Sequence, residues 1–484
     1  MSKYPSSYQP LTYFRLIIIP LFFTLTYDTM GQIMYQNVSN KNVALGSYGR
    51  VGVDWSFENG GSIGRRLNLN NMGSIGGRME EQDYLELAPA LYFNPSEEDS
   101  TTIYAQMRFS VYANSLTTFG NSSTSSLGGL TIAIPEMYVE ARNIRGKPLS
   151  IWIGARLYRG PDVHIADHFY FNDHSSQGFG VEWKGSRFMA LFVESTDTTS
   201  TVPPYFYLNI KTGTPSAALR QRVVIAAEQD VTLSPNDAIT FLGEVHRMAH
   251  ADNDTSSAPV DEALNFPADI GFVIGAKYQR NLPGLLDGSF NHLAVRYGTG
   301  IANGGDGGLS RTWLTFGAPD LNNLDFKGAS SIYVVNHTVL NFSTSYTLNT
   351  YFIYTKSKGA ADSDHIAPTY FGKEVFNRKE DLSIGSRSEF YITDYFHLLA
   401  ELHYSQRKDG TNPVANMAKI SIVPVYVPTG KRDTWARPHL RFVASLARYN
   451  DYAMESLYSP YLQFVGEKRW GYYFGVKAEW WIFN

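Results

Sequence analysis

The stretch WGYYFGVKAEWWIFN at residues 470–484 decides the fold of this chain. Read with the period of two that β-strands show, it separates into an apolar face and a face with charges. The first face comprises Tyr472, Phe474, Val476, Ala478, Trp480 and Ile482, and the second Tyr473, Gly475, Lys477, Glu479, Trp481 and Phe483. A soluble sandwich gives no reason for a chain to end on its most aromatic segment. The closing strand of a membrane β-barrel does, because it faces lipid and places aromatics at the interface.

Composition supports a membrane protein that is built from strands. Aromatic residues make up 14% of the 484 residues and charged residues only 18%, below the roughly 25% of soluble domains. Mean hydropathy is nevertheless −0.23, which excludes a bundle of membrane-spanning helices. Only alternation of apolar and polar residues reconciles these two properties. A net charge of −4 and a pI near 6.3 argue against a nucleic-acid partner.

The amino terminus is expected to direct export. Residues 16–27 form the single long apolar run, with Lys3 and Arg15 before it, and the run is too short to span a bilayer. This pattern is typical of a signal peptide, here predicted to cover residues 1–31 and to be followed by a barrel over 32–484. The chain has no Cys, which excludes a disulfide framework and a lipoprotein anchor and weakly favours an exported bacterial protein.

The clearest alternation lies at residues 102–113. One parity carries Ile103, Met107 and Val111, whereas the other carries polar side chains and, at mid-strand, Arg108. A mid-strand arginine is costly in a dry core but ordinary in a lumen that contains water. This segment predicts hydrocarbon on one face and water on the other.

About eighteen such segments follow one another, and sixteen is the alternative count. Their connections alternate between short turns and long loops rich in Gly, Ser, Asn and Asp, which is typical of outer-membrane barrels. The fold class is therefore all-β, a transmembrane antiparallel β-barrel with an aqueous channel. The predicted strands lie near 46–57, 82–94, 100–113, 135–146, 148–158, 178–185, 187–195, 218–230, 238–248, 269–279, 290–299, 331–339, 346–355, 384–391, 394–406, 416–427, 437–449 and 470–482.

The inward parity combines aromatic and charged side chains, which is what a sugar channel needs. Apolar sugar faces stack on aromatic rings, and hydroxyls bind ionised donors and acceptors. The combination recurs as Tyr48 with Arg50, Tyr84 with Glu86, Trp435 with Arg437, and Trp481 with Glu479 and Lys477. The plain alternatives are that these rings fill space or form an interfacial girdle, and that the barrel is a general diffusion porin.

Two segments resemble the maltoporin family of sugar-specific carbohydrate porins. IWIGARLYRGPDVHIADHFYFNDHSSQGFGVE at 151–182 is similar to that family's aromatic-Arg-aromatic strand and the loop after it, and RDTWARPHLRFVASLARY at 432–449 to its Trp-x-Arg-Pro strand. GRVGVDW near the start and the closing AEWW match in order. The resemblance implies an eighteen-stranded homotrimer in a Gram-negative outer membrane, with a loop folded into the lumen, that passes maltodextrins by diffusion.

The resemblance also implies which residues bind the sugar. The aromatic track falls on Tyr48, Tyr84, Trp435 and Trp481, and the ionic track and constriction on Arg50, Glu86, Asp162 and Asp167, with Phe169 and the adjacent Tyr170 at the position of the constriction tyrosine. Three departures bear on sugar preference. Arg159 substitutes from one position away for an arginine that aligns with Gly160, and Ile274 replaces a track aromatic. Phe119 is the nearest match to the aromatic lent by a neighbouring subunit.

Other chemistry receives less support from the residues. His164 and His168 could share a helix face and hold a metal, but no second ligand-rich segment completes a tetrahedral set. Asp162 and Asp167 could act as a glycosidase pair, although an open lumen gives poor desolvation for the acid. A blocked barrel that acts as an adhesin and a soluble glycan-binding protein remain alternatives. We expect no enzymatic activity and no cofactor.

Overall fold

The computed structural model describes most of the chain beyond residue 42. The predicted signal peptide, residues 1–31, and Phe119 lie outside the described residues. No helix in the described part has the length and apolar composition needed to cross a membrane. The described residues are 43–55, 66–93, 100–113, 130–193, 206–209, 214–217, 222–250, 267–304, 314–320, 322–323, 325–362, 365–370 and 373–482.

Eighteen strands form one antiparallel sheet, which confirms the predicted fold and strand count. They run from 8 residues in the fifth strand to 14 in the twelfth, the length that crosses a bilayer at a tilt. The strands are β1 Val43–Trp55, β2 Tyr84–Phe93, β3 Thr102–Ala113, β4 Leu130–Arg142, β5 Leu149–Arg156, β6 Ser176–Trp183, β7 Ser186–Val193, β8 Arg222–Ser234, β9 Asp237–Met248, β10 Asp269–Asn281, β11 Phe290–Gly300, β12 Ser330–Ser343, β13 Tyr346–Lys358, β14 Arg378–Tyr391, β15 Phe396–Asp409, β16 Ala415–Tyr426, β17 His439–Tyr449 and β18 Trp470–Ile482.

The sheet closes on itself because β1 pairs with both β2 and β18. Across the closing seam Tyr48 lies opposite Trp481 and Gly49 lies opposite Trp480. A Cβ atom at Gly49 would overlap the Trp480 ring, so this position needs glycine. Closure leaves no strand edge in the hydrocarbon, where unpaired peptide groups are costly.

The alternation predicted from the sequence separates lipid from lumen. On β3, Arg108 is 1% exposed and forms ion pairs with Glu86 and Glu136 inside the barrel. On the opposite parity of the wall, Ile274 is 66% exposed and faces outward. Several exposed aromatics lie at or next to the ends of strands, where an interfacial girdle is expected: Phe93, Trp183, Tyr395, Phe396, Tyr426 and Trp470.

Most short turns lie at one end of the barrel and most long loops at the other, which we call the short-turn end and the long-loop end. The exceptions are 410–414, a short connection at the long-loop end, and 427–438, a longer one at the short-turn end. The short-turn end carries connections such as 184–185, 235–236 and 344–345. Two segments from the long-loop end, 66–83 and 157–175, are folded inward and largely buried. Apolar side chains of these segments join lumenal residues of β13 and β15–β18 in one buried cluster. The expected constriction loop is therefore accompanied by a second infolded segment.

Smaller elements complete the described part of the chain. Two helices, α1 Asp451–Glu455 and α2 Pro460–Val465, lie between β17 and β18, and 3-10 turns cover Ile144–Gly146 and His164–Ala166. Three two-stranded ribbons pair Asp162–Val163 with His168–Phe169, Phe206–Asn209 with Thr214–Ala217, and His365–Tyr370 with Lys373–Phe376.

Four strands have a boundary that differs from the prediction by four residues or more, namely β4, β8, β12 and β14. β4 covers Leu130–Arg142 instead of 135–146, because Asn143, Arg145 and Gly146 adopt positive φ and end the strand in a turn. β14 covers Arg378–Tyr391 instead of 384–391, because the residues before 384 also pair with β13 and β15 and carry buried Lys379 and Asp381 on the lumenal face.

Closure predicts that a thiol pair placed across the seam will cross-link the two ends of the chain. Val51 lies opposite Ala478, and Ala478 opposite Leu440, so a Val51→Cys/Ala478→Cys pair is adjacent. A Val51→Cys/Leu440→Cys pair spans two strands, about 10 Å, and serves as the control. The native chain has no Cys to interfere. On a non-reducing denaturing gel, only the adjacent pair should shift in mobility; equal cross-linking of both pairs would contradict closure at this seam.

Candidate functional site

The constriction loop, residues 157–175, leaves the wall after β5 and is fastened across the lumen. The Tyr170 hydroxyl lies 2.8 Å from Nδ1 of His292 on β11. His174 Nε2 lies 2.9 Å from a Glu244 carboxylate oxygen on β9. These contacts span from β5 to β9 and β11, so the loop lies across the channel instead of standing above it.

The second infolded segment, residues 66–83, is fastened to the opposite part of the wall. Lys419 Nζ on β16 lies 2.8 Å from Glu80, and both side chains are buried. The backbone N–H of Gly76 donates to the Tyr351 hydroxyl on β13 at 3.2 Å. The two segments together fill much of the lumen, which narrows any path through the barrel.

Arg78 joins the two infolded segments. Its guanidinium donates to the Tyr48 hydroxyl at 2.9 Å, pairs with Glu81 at 2.8 Å and lies 3.0 Å from Nδ1 of His164 in the constriction loop. Because one buried cation contacts the wall and both segments, movement of either segment is expected to disturb the other.

Glu479 on β18 contacts several basic side chains near the short-turn end. Its carboxylate accepts from the Tyr48 hydroxyl at 2.9 Å, and from Arg437 Nε and Arg441 Nη1 at 3.1 Å each. His439 Nε2 also lies 3.1 Å away. The carboxylate therefore fixes the cations that lie beside Trp481.

Three of the predicted track residues meet at the short-turn end. His164 lies edge-on to Trp435 and Trp481, with ring centroids 5.5 and 5.7 Å apart, and the Arg437 guanidinium lies 4.7 Å from the Trp481 ring centroid. Tyr48 pairs with Trp481 across the seam. Trp435, which the family resemblance placed in a Trp-x-Arg-Pro strand, lies in the connection before β17, which begins at His439.

Tyr84, also a predicted track residue, lies closer to the long-loop end. Its ring centroid lies 5.8 Å from that of Tyr48, and the Arg50 guanidinium lies 5.0 Å from the Tyr84 centroid. The Tyr84 hydroxyl donates to Glu86, which also pairs with Arg108 at 2.6 Å. Tyr48, Tyr84, Trp435 and Trp481 all remain partly exposed, although most inward side chains of the wall are buried.

The predicted constriction residues occupy different depths of the loop. Phe169 lies under the Arg159 guanidinium at 4.9 Å, and Arg159 pairs with Asp173 at 3.5 Å. Tyr170 is buried and fastens the loop to the wall, so its ring does not reach the open surface. Asp162 lies 3.7 Å from Nδ1 of His164.

The pKa values of the two loop carboxyls shift in opposite directions. Burial disfavours ionisation of Asp162, but the contact with His164 outweighs it and lowers the pKa. Burial raises the pKa of Asp167, and the nearby Glu81 carboxylate raises it further. Glu81 itself is buried, yet the guanidiniums of Arg50 and Arg78 hold its pKa well below the usual value. The constriction thus carries ionised acceptors beside a carboxyl that is harder to ionise.

Sequence reasoning missed Arg78, Glu80 and Glu81. Residues 58–81 were read as an ordinary long loop because Gly, Ser and Asn are frequent there. The available signal was the spacing of buried Leu67, Leu69, Met72, Ile75 and Met79, an apolar series that an exposed loop does not need. The described residues contain no group of three metal-ligating side chains placed to hold an ion.

Comparison with known proteins identifies relatives over most of the chain. A sequence profile of the LamB porin family matches residues 43–481. A maltoporin of Hahella chejuensis is 23% identical over 404 residues, which cover 82% of this chain and 84% of that protein. A maltoporin of Photobacterium profundum is 26% identical over 171 residues, 32% of this chain and 39% of that protein.

Solved structures of outer-membrane channels are similar only at low scores. Salmonella typhi OmpF in complex with daunomycin has a TM-score of 0.41 at 10% identity, covering 93% of this chain and 100% of that chain. The channel DcaP of Acinetobacter baumannii has a TM-score of 0.39 at 10% identity with the same coverage. These likenesses carry no argument about function.

The surroundings of His164 predict a pH-dependent constriction. Burial, and next to it Arg78, lower the pKa of His164 to about 4, against the opposing effect of Asp162 and Glu479. Because this pKa lies below the ordinary 6.5, the folded arrangement around neutral His164 has its full stability above pH 6.5. Below that pH the equilibrium constant that favours this arrangement falls by up to roughly tenfold per pH unit until about pH 4. Protonated His164 would face the guanidiniums of Arg78 and Arg437.

Single-channel recording at pH 7 and pH 4 measures this effect. We expect more frequent closures at pH 4 in the wild type and a smaller acid response in His164→Phe, which keeps the ring but cannot take up a proton. Comparing the wild type with His164→Phe separates the effect of protonating His164 from that of protonating Asp162, Asp167 or Glu81, which both proteins contain. An identical acid response in the two proteins would show that His164 does not control the constriction.

Proposed function

The chain belongs to the LamB porin family of the Gram-negative outer membrane, and from that premise we propose that its lumen passes linear oligosaccharides by facilitated diffusion. Maltodextrins are the substrate class that the resemblance of its motifs implies. The observation that carries the proposal is the row of partly exposed lumenal aromatics flanked by paired charges, from Trp435 and Trp481 to Tyr48 and Tyr84.

The aromatic rings supply the apolar half of sugar recognition. A pyranose ring has apolar C–H faces, and stacking them on an aromatic side chain removes both surfaces from water. Tyr48 and Tyr84 lie 5.8 Å apart between centroids, close enough for one sugar chain to touch both rings. A series of aromatic rings that bind sugar weakly and with similar affinity favours passage, because a sugar can leave each ring easily and bind to the next.

The ionic partners supply the polar half. Arg50 pairs with Glu81 at 3.1 Å, Arg108 with Glu86, and Arg437 with Glu479, so donors and acceptors alternate along the track. Hydrogen bonds to ionised groups are the stronger ones, and sugar hydroxyls both donate and accept. Because these cations have carboxylate partners, the track offers little net charge to an anion. This balance favours a neutral polyol over a phosphate or a nucleotide.

In this proposal, the two infolded segments make the channel selective. With 66–83 and 157–175 inside the barrel, a solute must pass close to the wall that carries the track. Phe169, where the family has tyrosine, has no hydroxyl and is largely buried under the Arg159 guanidinium. We therefore propose oligosaccharide passage without assigning a preferred sugar.

A general diffusion porin is the alternative function. It needs only an aqueous path, and its conductance would not respond to sugar. The same assay distinguishes the two functions, because a specific channel is blocked by its own substrate in a concentration-dependent manner, whereas a general porin is not.

We also propose that the protein assembles as a homotrimer, the state that the family resemblance implies. Mass photometry of the detergent-purified protein tests the proposal. We expect a protein mass close to three times that of the mature chain after correction for detergent, and a single-chain mass would contradict the trimer.

Removing a track tryptophan should weaken sugar binding without widening the pore. Trp435→Ala and Trp481→Ala each remove one stacking surface, worth about 1 kcal/mol, so half-blocking maltodextrin concentrations should rise roughly fivefold. Small-ion conductance should change little, because both side chains lie beside the path. Their rings touch His164 only edge-on, and that residue keeps its contacts with Arg78 and Arg437 in both variants. Block of ion current across a planar bilayer measures both quantities.

Trp183→Ala is the matched control because Trp183 is exposed on the outer face of β6. It should leave sugar block unchanged. Equal half-blocking concentrations in the wild type and in both track variants would contradict the stacking assignment. Absence of block in the wild type would instead support the general porin.

A further inference from the structure

Beyond the predicted track, a fifth aromatic residue lies next to Tyr84. Tyr112 on β3 pairs with Tyr84 on β2, and their rings stack with centroids 6.2 Å apart and an interplanar angle of 24°. We propose that Tyr112 forms an additional sugar subsite, the outermost of the track, that takes one pyranose ring of a linear oligosaccharide. The inference rests on the proposed function and extends it.

The spacing of the rings supports a continuous track. Tyr48 to Tyr84 measures 5.8 Å and Tyr84 to Tyr112 measures 6.2 Å between centroids, on the adjacent strands β1, β2 and β3. Nearly equal steps let successive rings of one sugar chain engage successive tyrosines. A side chain that only filled space would not need to repeat the same separation.

The position of Tyr112 makes it the station nearest the outside. Tyr84 is the first residue of β2 and Tyr112 the last but one of β3, so both lie at the long-loop end. Trp481, by contrast, lies near the short-turn end, where β18 finishes. The series Trp481, Tyr48, Tyr84 and Tyr112 therefore runs from the short-turn end of the barrel to the long-loop end.

The exposure of Tyr112 fits ligand binding better than packing. Further down the inward face of β3, Ser110, Arg108 and Gln106 are buried, but Tyr112 is partly exposed. Hydroxyl partners are at hand, because the Tyr84 hydroxyl lies 3.4 Å from Ser110 Oγ and donates to Glu86. Tyr112 thus has the same surroundings as the predicted stations, an open ring beside a buried polar pair.

The subsite would be supplied by the chain itself. The family resemblance implies an aromatic lent by a neighbouring subunit, for which Phe119 was the nearest match and lies outside the described residues. Tyr112 needs no neighbour, since it belongs to a barrel strand. A track completed within one chain would keep its outer subsite in an isolated subunit.

The test measures how binding depends on sugar length. Planar-bilayer current block would be recorded with maltose, maltotriose, maltopentaose and maltoheptaose for the wild type, Tyr112→Ala and Tyr112→Phe. For Tyr112→Ala we expect binding of maltoheptaose to weaken roughly fivefold to tenfold and binding of maltose by less than about twofold, because maltose can use the remaining stations. Tyr112→Phe should retain the wild-type profile, since it keeps the ring.

A second readout uses the side of addition. For Tyr112→Ala, the association rate of maltoheptaose should fall when it is added at the long-loop side and stay nearly unchanged from the short-turn side. Tyr297→Ala is the control, because Tyr297 is exposed on the outer face of β11. It should match the wild type at every length.

The outcomes separate the subsite from the proposed function. Sugar block in the wild type with an unchanged length profile in Tyr112→Ala would overturn the subsite alone. Equal weakening for maltose and maltoheptaose, together with altered ion conductance, would assign Tyr112 a packing role and also overturn it. No block of the wild type by any of the sugars would overturn the proposed function and the subsite with it.

Discussion

The structure depends on one constraint, that no strand edge can remain unpaired in hydrocarbon. Each buried peptide group without a partner costs several kcal/mol in lipid, so the first strand must pair with the last. The seam between β1 and β18 meets this need and brings Tyr48 opposite Trp481. Closure also gives every strand two unlike faces, one toward lipid and one toward the lumen. The outer girdle and the inward row of aromatic and charged side chains both follow from that division.

Confining charge to the lumen makes ion pairing necessary. The infolded segments displace water, and a charge in a dry interior is stable only with a partner and hydrogen bonds. Arg108 between Glu86 and Glu136, and Glu479 among Arg437, His439 and Arg441, meet this requirement. The same pairs leave donors and acceptors beside exposed aromatic rings. In our account, the charges that hold the lumen together are also those that a passing polyol meets.

The sequence predicted the wall better than the contents of the lumen, for a physical reason. Alternation at period two is local, so the inward orientation of Arg108 and Glu479 and the outward orientation of Ile274 were readable from neighbouring residues. Infolding of a loop is a tertiary event that depends on distant partners. Lys419, for example, binds Glu80 from the far end of the chain. Arg78 was missed for this reason, because its partners Tyr48 and His164 lie 30 and 86 residues away.

A density map of the protein with bound maltohexaose tests the central claim most directly. Crystallography or electron cryomicroscopy at a resolution that shows individual pyranose rings would suffice. The account predicts sugar rings stacked along Trp481, Tyr48 and Tyr84, with hydroxyls at Arg50 and Glu86. Sugar bound elsewhere in the lumen, or a lumen with only solvent at saturating sugar, would contradict it.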